Sequence, residues 1–272
     1  MFDPNGGAKD IEEGKVIFIG NADNRIQEDY LRILRYVRFF INYSNHPHNS
    51  SVKKSIKQNI AGVANLSKER LMSELKKIIL SKNFLQLSKD SFSLEILTTI
   101  FPQLVNLNNL EKMNDYSKNI FKNKTFIFLI SYLIIDETDN ANYFLFKYNL
   151  SNEDKKRIKF LIENYELFSE KDYFNKKNLQ RIFYFNNKSY VIDLLDLKIF
   201  NSKTVPKKLI QIKKYFEQFK KPNFPLKAQD LLEKYNLKEG KEFGQKIRLL
   251  EDMWLNNSFK LSNKEIDNVL NN

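Results

Sequence analysis

Asp29 and Arg32 stand three residues apart in the stretch RIQEDYLRILRYVRFF, residues 25–40. A carboxylate only accepts hydrogen bonds and a guanidinium only donates them, so a fixed Asp–Arg pair presents an acceptor beside a donor. Adenine and cytosine carry an exocyclic amine next to a ring nitrogen, and both complement such a pair. Guanine and uracil reverse the order with a carbonyl beside an N–H, so the wrong base would leave buried polar groups unpaired. The same stretch holds four of the chain's eight arginines, in a sequence that otherwise draws its positive charge from 37 lysines. Lysine supplies diffuse charge, whereas the rigid fork of arginine suits fixed hydrogen-bonding geometry.

The element that must position these groups is read from the apolar spacing. A helix over 28–41 sets Leu31, Leu34, Val37, Phe40 and Ile41 on one broad face. It leaves Asp29, Arg32 and Arg35, with Tyr36 and Phe39 among them, within an arc of about 120° on the other. One face packs and the other presents chemistry. The same spacing also suits surface ion pairs, worth about 0.2–0.5 kcal/mol each. Arg38 leans toward the apolar side, where packing is its expected role.

Further helical spacing recurs at 67–81, 91–100, 123–135, 153–168, 189–200, 205–220, 226–235 and 242–256, with no fixed-period repeat. Four of the seven glycines, Gly6, Gly7, Gly14 and Gly20, fall in the first twenty residues, and the last two bracket KVIFI, a run of strand type. The chain thus reads as a short N-terminal piece of α/β character followed by an almost wholly helical body. A lone strand has no sheet to join, so KVIFI either forms a hairpin with the residues before it or lacks its partners in this sequence; the second is preferred.

Composition sets limits. Hydrophobic residues make up 42% of 272, a globular proportion, and net charge is +12. Lysine clusters such as KKSIK, NKK, PKK and FKK suggest a polyanionic partner, most simply RNA, although solvated lysine faces are also common. No cysteine is present, which excludes disulfides and zinc–thiolate sites and accords with a reducing compartment, the cytoplasm. MFDPNGGAKD lacks the features of a secretory signal. TFIFLISYLII, residues 125–135, is about half the ~20 residues that cross a bilayer and reads as a buried helix, so no membrane partner is expected.

Three blocks carry a family resemblance. DPNGGAKDI, then FIGNADNRIQEDYLRILRYVRFF, then LSKERLMSELKKII (66–79) resemble, in order and spacing, blocks of the class II CCA-adding tRNA nucleotidyltransferase and poly(A) polymerase family. The resemblance implies that Asp3, Gly6, Gly7 and Asp10 belong to a flexible block linking a catalytic head to a neck. It implies that Asp29 and Arg32, in the E-D-x-x-R block with Glu28, select CTP and ATP, with Arg35 reaching phosphate or buttressing the pair. Glu69, Arg70 and Glu74 correspond to the E-R-x-x-x-E helix that braces this template, as Glu28 does. A fainter likeness covers 225–259, including Pro225, Asp230, Gly240, Gly244, Trp254 and Phe259.

The implied fold is mainly α: an elongated neck, body and tail with a short β remnant of an α/β head. The implied division is 1–27 head remnant and glycine block, 28–90 neck with the selecting helix, 91–204 body and 205–272 tail, the last two binding the acceptor and T arms of tRNA. The implied cofactor is Mg²⁺, which needs oxygen ligands, yet the family's metal carboxylates have no counterpart here, so no catalytic or metal residue is assigned. DETD (136–139) and DLLD (193–196) are expected to be a loop and a solvated helix face, and His46 and His48 a surface turn. Two readings follow: the base-selecting and RNA-binding part of a CCA-adding enzyme, or of its poly(A)-adding relative; or a module that binds tRNA without catalysis.

Overall fold

The computed structural model describes residues 3 and 6–271, and among these it contains α-helices, short 3₁₀ turns and no strand. The first ten helices are α1 (Gly7–Glu13), α2 (Ala22–Glu28), α3 (Leu31–Tyr43), α4 (Ser50–Asn59), α5 (Lys68–Ile79), α6 (Ser91–Ile100), α7 (Asp115–Ile120), α8 (Phe126–Ile134), α9 (Asn140–Lys147) and α10 (Asn152–Tyr165). They are followed by α11 (Lys176–Phe185), α12 (Lys188–Phe200), α13 (Lys207–Gln218), α14 (Ala228–Tyr235), α15 (Lys241–Asn256) and α16 (Asn263–Asn271). Asparagine and serine, abundant in this chain, supply many of the starts. The side chains of Asn21, Asn49, Ser67, Asn114, Thr125, Ser151 and Asn175 each accept a backbone N–H from the first turn of the following helix, satisfying donors that have no partner within it.

Two compact units result: Met1–Glu166 with Leu197–Val205, and Leu167–Asp196 with Pro206–Asn272. In the first, α3 packs on α5, α2 on α4, and α8 on both α5 and α10. The helix α8 is buried on nearly every side, from Phe128 through Ile134, as its unbroken apolar run requires. Residues 197–205 are tied in by Asn114, whose Nδ2 donates to the carbonyls of Ile199 and Ser202, both at 2.8 Å. Phe200 meets Phe128 and Tyr132 edge-on.

The second unit has two apolar clusters. One gathers Leu179, Phe183, Val191, Leu195, Ile212 and Phe216, and the other gathers Leu231, Phe243, Leu250, Ile266 and Leu270. Trp254 is 2% exposed and packs against Phe224 and Phe259. Gly240 precedes α15, Gly244 lies within it, and Asp230 stands in the first turn of α14.

Several expectations are corrected. KVIFI forms no strand: residues 15–18 carry neither helix nor ladder, because a strand exists only when a neighbour takes up its backbone donors and acceptors. The expected helix over 28–41 is broken, with α2 ending at Glu28 and α3 beginning at Leu31. The DLLD carboxylates are not solvated, since Asp193 is 5% and Asp196 0% exposed, and Asp196 is ion-paired to the equally buried Lys213 at 2.8 Å.

The start of α3 depends on a close approach. A Cβ on Gly62, in the 3₁₀ turn after α4, would lie 2.1–2.4 Å from the ring carbons of Tyr30, the residue just before α3. Gly62→Ala must therefore expel that ring. A loss of about 1–3 kcal/mol in urea unfolding is expected; an unchanged midpoint would show that Tyr30 has another position of equal energy.

Candidate functional site

The break between α2 and α3 is made by Asp29. Its backbone is extended, φ −157° and ψ 101°, and its Oδ1 accepts the N–H of Leu31 at 3.1 Å. A short acidic side chain that bonds the backbone two residues on competes with helix continuation. Periodicity alone misses this, because Ile26 before the break and Leu31 after it still fall on the buried side. Both Asp29 oxygens also accept from Nη2 of Arg70, at 3.0 and 2.9 Å, so a residue of α5 fixes the carboxylate between the two helices.

Arg32 has different partners. Its Nη1 donates to Glu28 Oε2 at 2.6 Å and to the carbonyl of Arg25 at 2.6 Å. Glu28 Oε2 accepts from Arg25 as well, and these bonds, Arg32's first and then Arg25's, hold the Glu28 carboxyl below its usual range. Asp29 and Arg32, read from the sequence as an acceptor beside a donor, thus have separate partners: Asp29 is ion-paired to Arg70 and Arg32 to Glu28. Because only Nη1 of Arg32 is engaged among the described residues, its remaining donors stay available.

Arg35 is exposed, with no side-chain ion pair or hydrogen bond among the described residues. It lines a cleft of about 210 Å³ together with Arg25, Arg32, Tyr36, Phe39 and residues 16–19. Three guanidinium groups therefore border one concavity in which Glu28 is their only named carboxylate partner. A ligand with an anionic part complements it. The share taken by Arg25 was not assigned from the sequence, although Arg25, Glu28 and Arg32 at i, i+3 and i+7 are the signal that would have found it.

The bracing helix α5 contributes unequally. Glu74 is 1% exposed, and its carboxylate takes Nε of Arg38 at 2.5 Å and Nζ of Lys77 at 3.4 Å. Arg38 also lies over the Phe39 ring at 4.4 Å, so it anchors α3 and does not face the cleft. Glu69 lies at the start of its own helix, with Asn149 Nδ2 at 3.5 Å from its carboxylate. Asp3, Gly6, Gly7 and Asp10 come together at α1: Asp3 accepts the N–H groups of Gly7 and Ala8 at 2.9 and 2.8 Å, Gly6 caps the helix at φ 68°, and Asp10 is in its first turn. An apolar cleft of about 440 Å³ lined by Gly7, Asp10 and Ile11 shares Val16, Ile17, Ile19 and Phe39 with the arginine cleft.

His48 departs from the expected surface turn. It is 8% exposed by side chain, stacks on Phe40 with ring centres 3.4 Å apart, and meets Phe92 edge-on. Its Nδ1 lies 2.9 Å from Tyr36 Oη, and its Nε2 lies 2.9 Å from each Asp90 oxygen. His46 is in an exposed turn, with Nε2 2.9 Å from the Glu13 carbonyl. Asp136 turns back on Thr138, and no group of three or more acidic or histidine side chains among the described residues is placed to hold a metal ion. The residues present do not fit a Mg²⁺ site. No helix among them is long and apolar enough to cross a membrane.

Burial pushes the Asp90 carboxyl up, but hydrogen bonds from His48 and Ser93 outweigh it and leave the group below its ordinary range. A carboxyl depressed in the folded state adds stability above its unfolded value, about 4, which is lost as pH falls through the folded value. Asp90→Asn should flatten that acid limb in urea midpoints taken from about pH 6 to about pH 2. An identical pH dependence in the variant would remove Asp90 as its source.

Residues 49–107, which include α4, α5 and α6, match a family described as a probable RNA and SrmB-binding site of polymerase A. The chain is 28% identical to the mouse mitochondrial CCA tRNA nucleotidyltransferase 1 over 98% of its own length and 60% of that protein. It shares its fold with a CCA-adding enzyme from Bacillus stearothermophilus solved with CTP, at TM-score 0.66 and 16% identity over 94% of this chain and 65% of that one. The same holds for a Thermotoga maritima CCA-adding enzyme solved with tRNA, at TM-score 0.62 and 17% identity over 99% of this chain and 67% of that one. The chain spans about 60% of the length of the mouse relative it matches. The arginine-bearing helix, the helix that braces it and these matches agree: the chain is similar to CCA-adding tRNA nucleotidyltransferases over nearly its whole length, and through residues 49–107 to the RNA-binding region of the polymerase A family.

Proposed function

We propose that this chain is the base-selecting and RNA-binding part of a CCA-adding tRNA nucleotidyltransferase, which transfers CMP and AMP from CTP and ATP to a tRNA 3′ end. The observation that carries the reading is the cleft bordered by Arg25, Arg32 and Arg35, on the two helices that the break at Asp29 joins. Asp29 presents acceptors and Arg32 its free donors to the Watson–Crick edge of C or A. Arg35, which has no partner among the described residues, takes phosphate charge. Arg70 and Glu28 hold the two selecting groups, one each, and Glu74 anchors α3 through Arg38.

The Asp29–Arg70 pair does not disqualify Asp29 as a template. A carboxylate has about four lone-pair sites, and Arg70 and the Leu31 N–H occupy three contacts among them. The structures solved with CTP and with tRNA support nucleotide and tRNA as partners for this fold. The net charge of +12 supports RNA contacts spread over lysines of the body and tail, read here as 91–204 and 205–272, along the acceptor and T arms. KVIFI, which forms no strand here and leaves Ile17 and Ile19 more than half exposed, is read as a surface for a nucleotidyltransferase head to cover. Mg²⁺ at carboxylates of such a head would activate the 3′ hydroxyl and neutralise the triphosphate. A cytoplasmic setting is the reading with which the cysteine-free composition accords.

The absence of an acidic cluster among the described residues favours a second, narrower statement. By itself, this polypeptide binds tRNA and nucleotide without transferring CMP or AMP. Two measurements test these readings. The pure chain should bind CTP and ATP more tightly than UTP and GTP, and Asp29→Ala or Arg32→Ala should reduce that preference by about tenfold or more; equal binding of all four nucleotides would remove the template role. Binding of tRNA lacking its CCA end should weaken steeply with salt, whereas incorporation of CTP or ATP by the pure chain would overturn the non-catalytic statement.

A further inference from the structure

A hydrogen-bonded chain with no assigned role runs from α6 to the arginine cleft. Asp90, at the start of α6, accepts the N–H of Ser93 at 3.2 Å and binds His48 Nε2 through both oxygens. His48, on the segment between α3 and α4, meets Tyr36 Oη at its other nitrogen. Tyr36, on α3, is 3% exposed, lines the cleft, and carries Phe18 stacked on its ring at 5.5 Å and 14°. Phe18 belongs to the segment 16–19 that also lines the cleft. Four stretches of chain are thus joined end to end, and the last two border the arginines.

We propose that Asp90 and His48 are positioning residues for this cleft: through Tyr36 they fix the roll of α3, and with it the aim of Arg32 and Arg35, and they hold the Phe18 segment in place. The role rests on the reading that the cleft takes a nucleoside triphosphate. Filling space does not account for an imidazole here, since an apolar ring would stack on Phe40 and Phe92 without the cost of burying two polar nitrogens. What the imidazole adds is direction. With the Asp90 carboxylate, an obligate acceptor, at Nε2, that nitrogen carries the proton, and the bare Nδ1 accepts the Tyr36 O–H. Both imidazole nitrogens, the Asp90 carboxylate and the Tyr36 hydroxyl are then satisfied, the condition under which a buried network holds one geometry.

The spacing on α3 explains why Tyr36 is the point of attachment. It follows Arg35 directly, lies one turn after Arg32, and stands two residues before Arg38, which Glu74 secures from α5. The Arg38–Glu74 pair and the Tyr36–His48 bond therefore hold α3 at neighbouring positions from two different elements. A helix held at one point can still roll about its axis, and one held at two cannot.

The test uses the whole chain, labelled with ¹⁵N-histidine, and ATP without added metal as the probe. With only two histidines in the sequence, the His48 signals are assigned by difference in His46→Ala. The expected spectrum shows a protonated Nε2 and a bare Nδ1, and saturation with ATP shifts both. Tyr36→Phe keeps the ring and removes one oxygen, so it folds even where His48→Ala does not. It should weaken ATP binding about fivefold, the scale of one net hydrogen bond, and Asp90→Asn should do the same. Arg32→Ala, which removes a cleft residue directly, is the control. Should Arg32→Ala lose binding while Tyr36→Phe and Asp90→Asn bind as the unaltered chain does, with His48 unmoved by ATP, the positioning role fails and the cleft reading stands. Unchanged binding in Arg32→Ala would overturn the cleft reading and the positioning role with it.

Discussion

The carboxylate of Asp29 is the point on which the site turns. It ends one helix, starts the next through the Leu31 N–H, and accepts both of its charged contacts from a single nitrogen of Arg70. Had the helix continued through this residue, Asp29 would be one more side chain on an α-helical surface, free to rotate among its rotamers. The break removes that freedom, because the side chain is occupied at its base by backbone and at its tip by α5. Tyr30, packed against Gly62, secures the same junction from the other side. Local geometry, tertiary packing and the proposed base selection thus depend on one side chain being in one place.

The charge arrangement around it is uneven. Glu28 serves two arginines with one oxygen, Arg70 is taken by Asp29, Arg38 by Glu74, and Arg35 by none among the described residues. Arginines that are paired are held in position and partly neutralised, while the one left over contributes charge without fixed direction. A base edge needs the first kind and a phosphate is served by the second. The cleft holds both kinds within about 210 Å³.

Much of this was legible in the sequence, for identifiable reasons. The long amphipathic runs became α5, α6, α8, α10 and α12–α15 near their expected limits because burial of one stripe decides a helix whatever its neighbours are. The block proposed to select the base was legible as a candidate because its groups are local, with Glu28, Asp29 and Arg32 close in sequence. What stayed hidden depends on partners distant in the chain. The link from Asp29 to Arg70 spans 41 residues, and that from His48 to Asp90 spans 42. No spacing rule connects them. NHPHN read as a turn since nothing nearby could bond its histidines, and Asp196 read as solvated since Lys213 lies in the next helix. The helices α1, α2, α4, α7, α9, α11 and α16 were missed, each ten residues or shorter, too short for the apolar period to repeat far enough to be read.

The buried Asp196–Lys213 pair of the second unit has a consequence for how this sequence can change. Neither charge is tolerable alone at 1–6% side-chain exposure, but an apolar pair of similar volume would serve the second unit as well. The two acceptable solutions are separated by single substitutions that each strand a charge. A lineage drifting between them must change both positions nearly together, or pass through a protein that folds poorly. Two residues with no part in reading bases are thereby locked to each other's history.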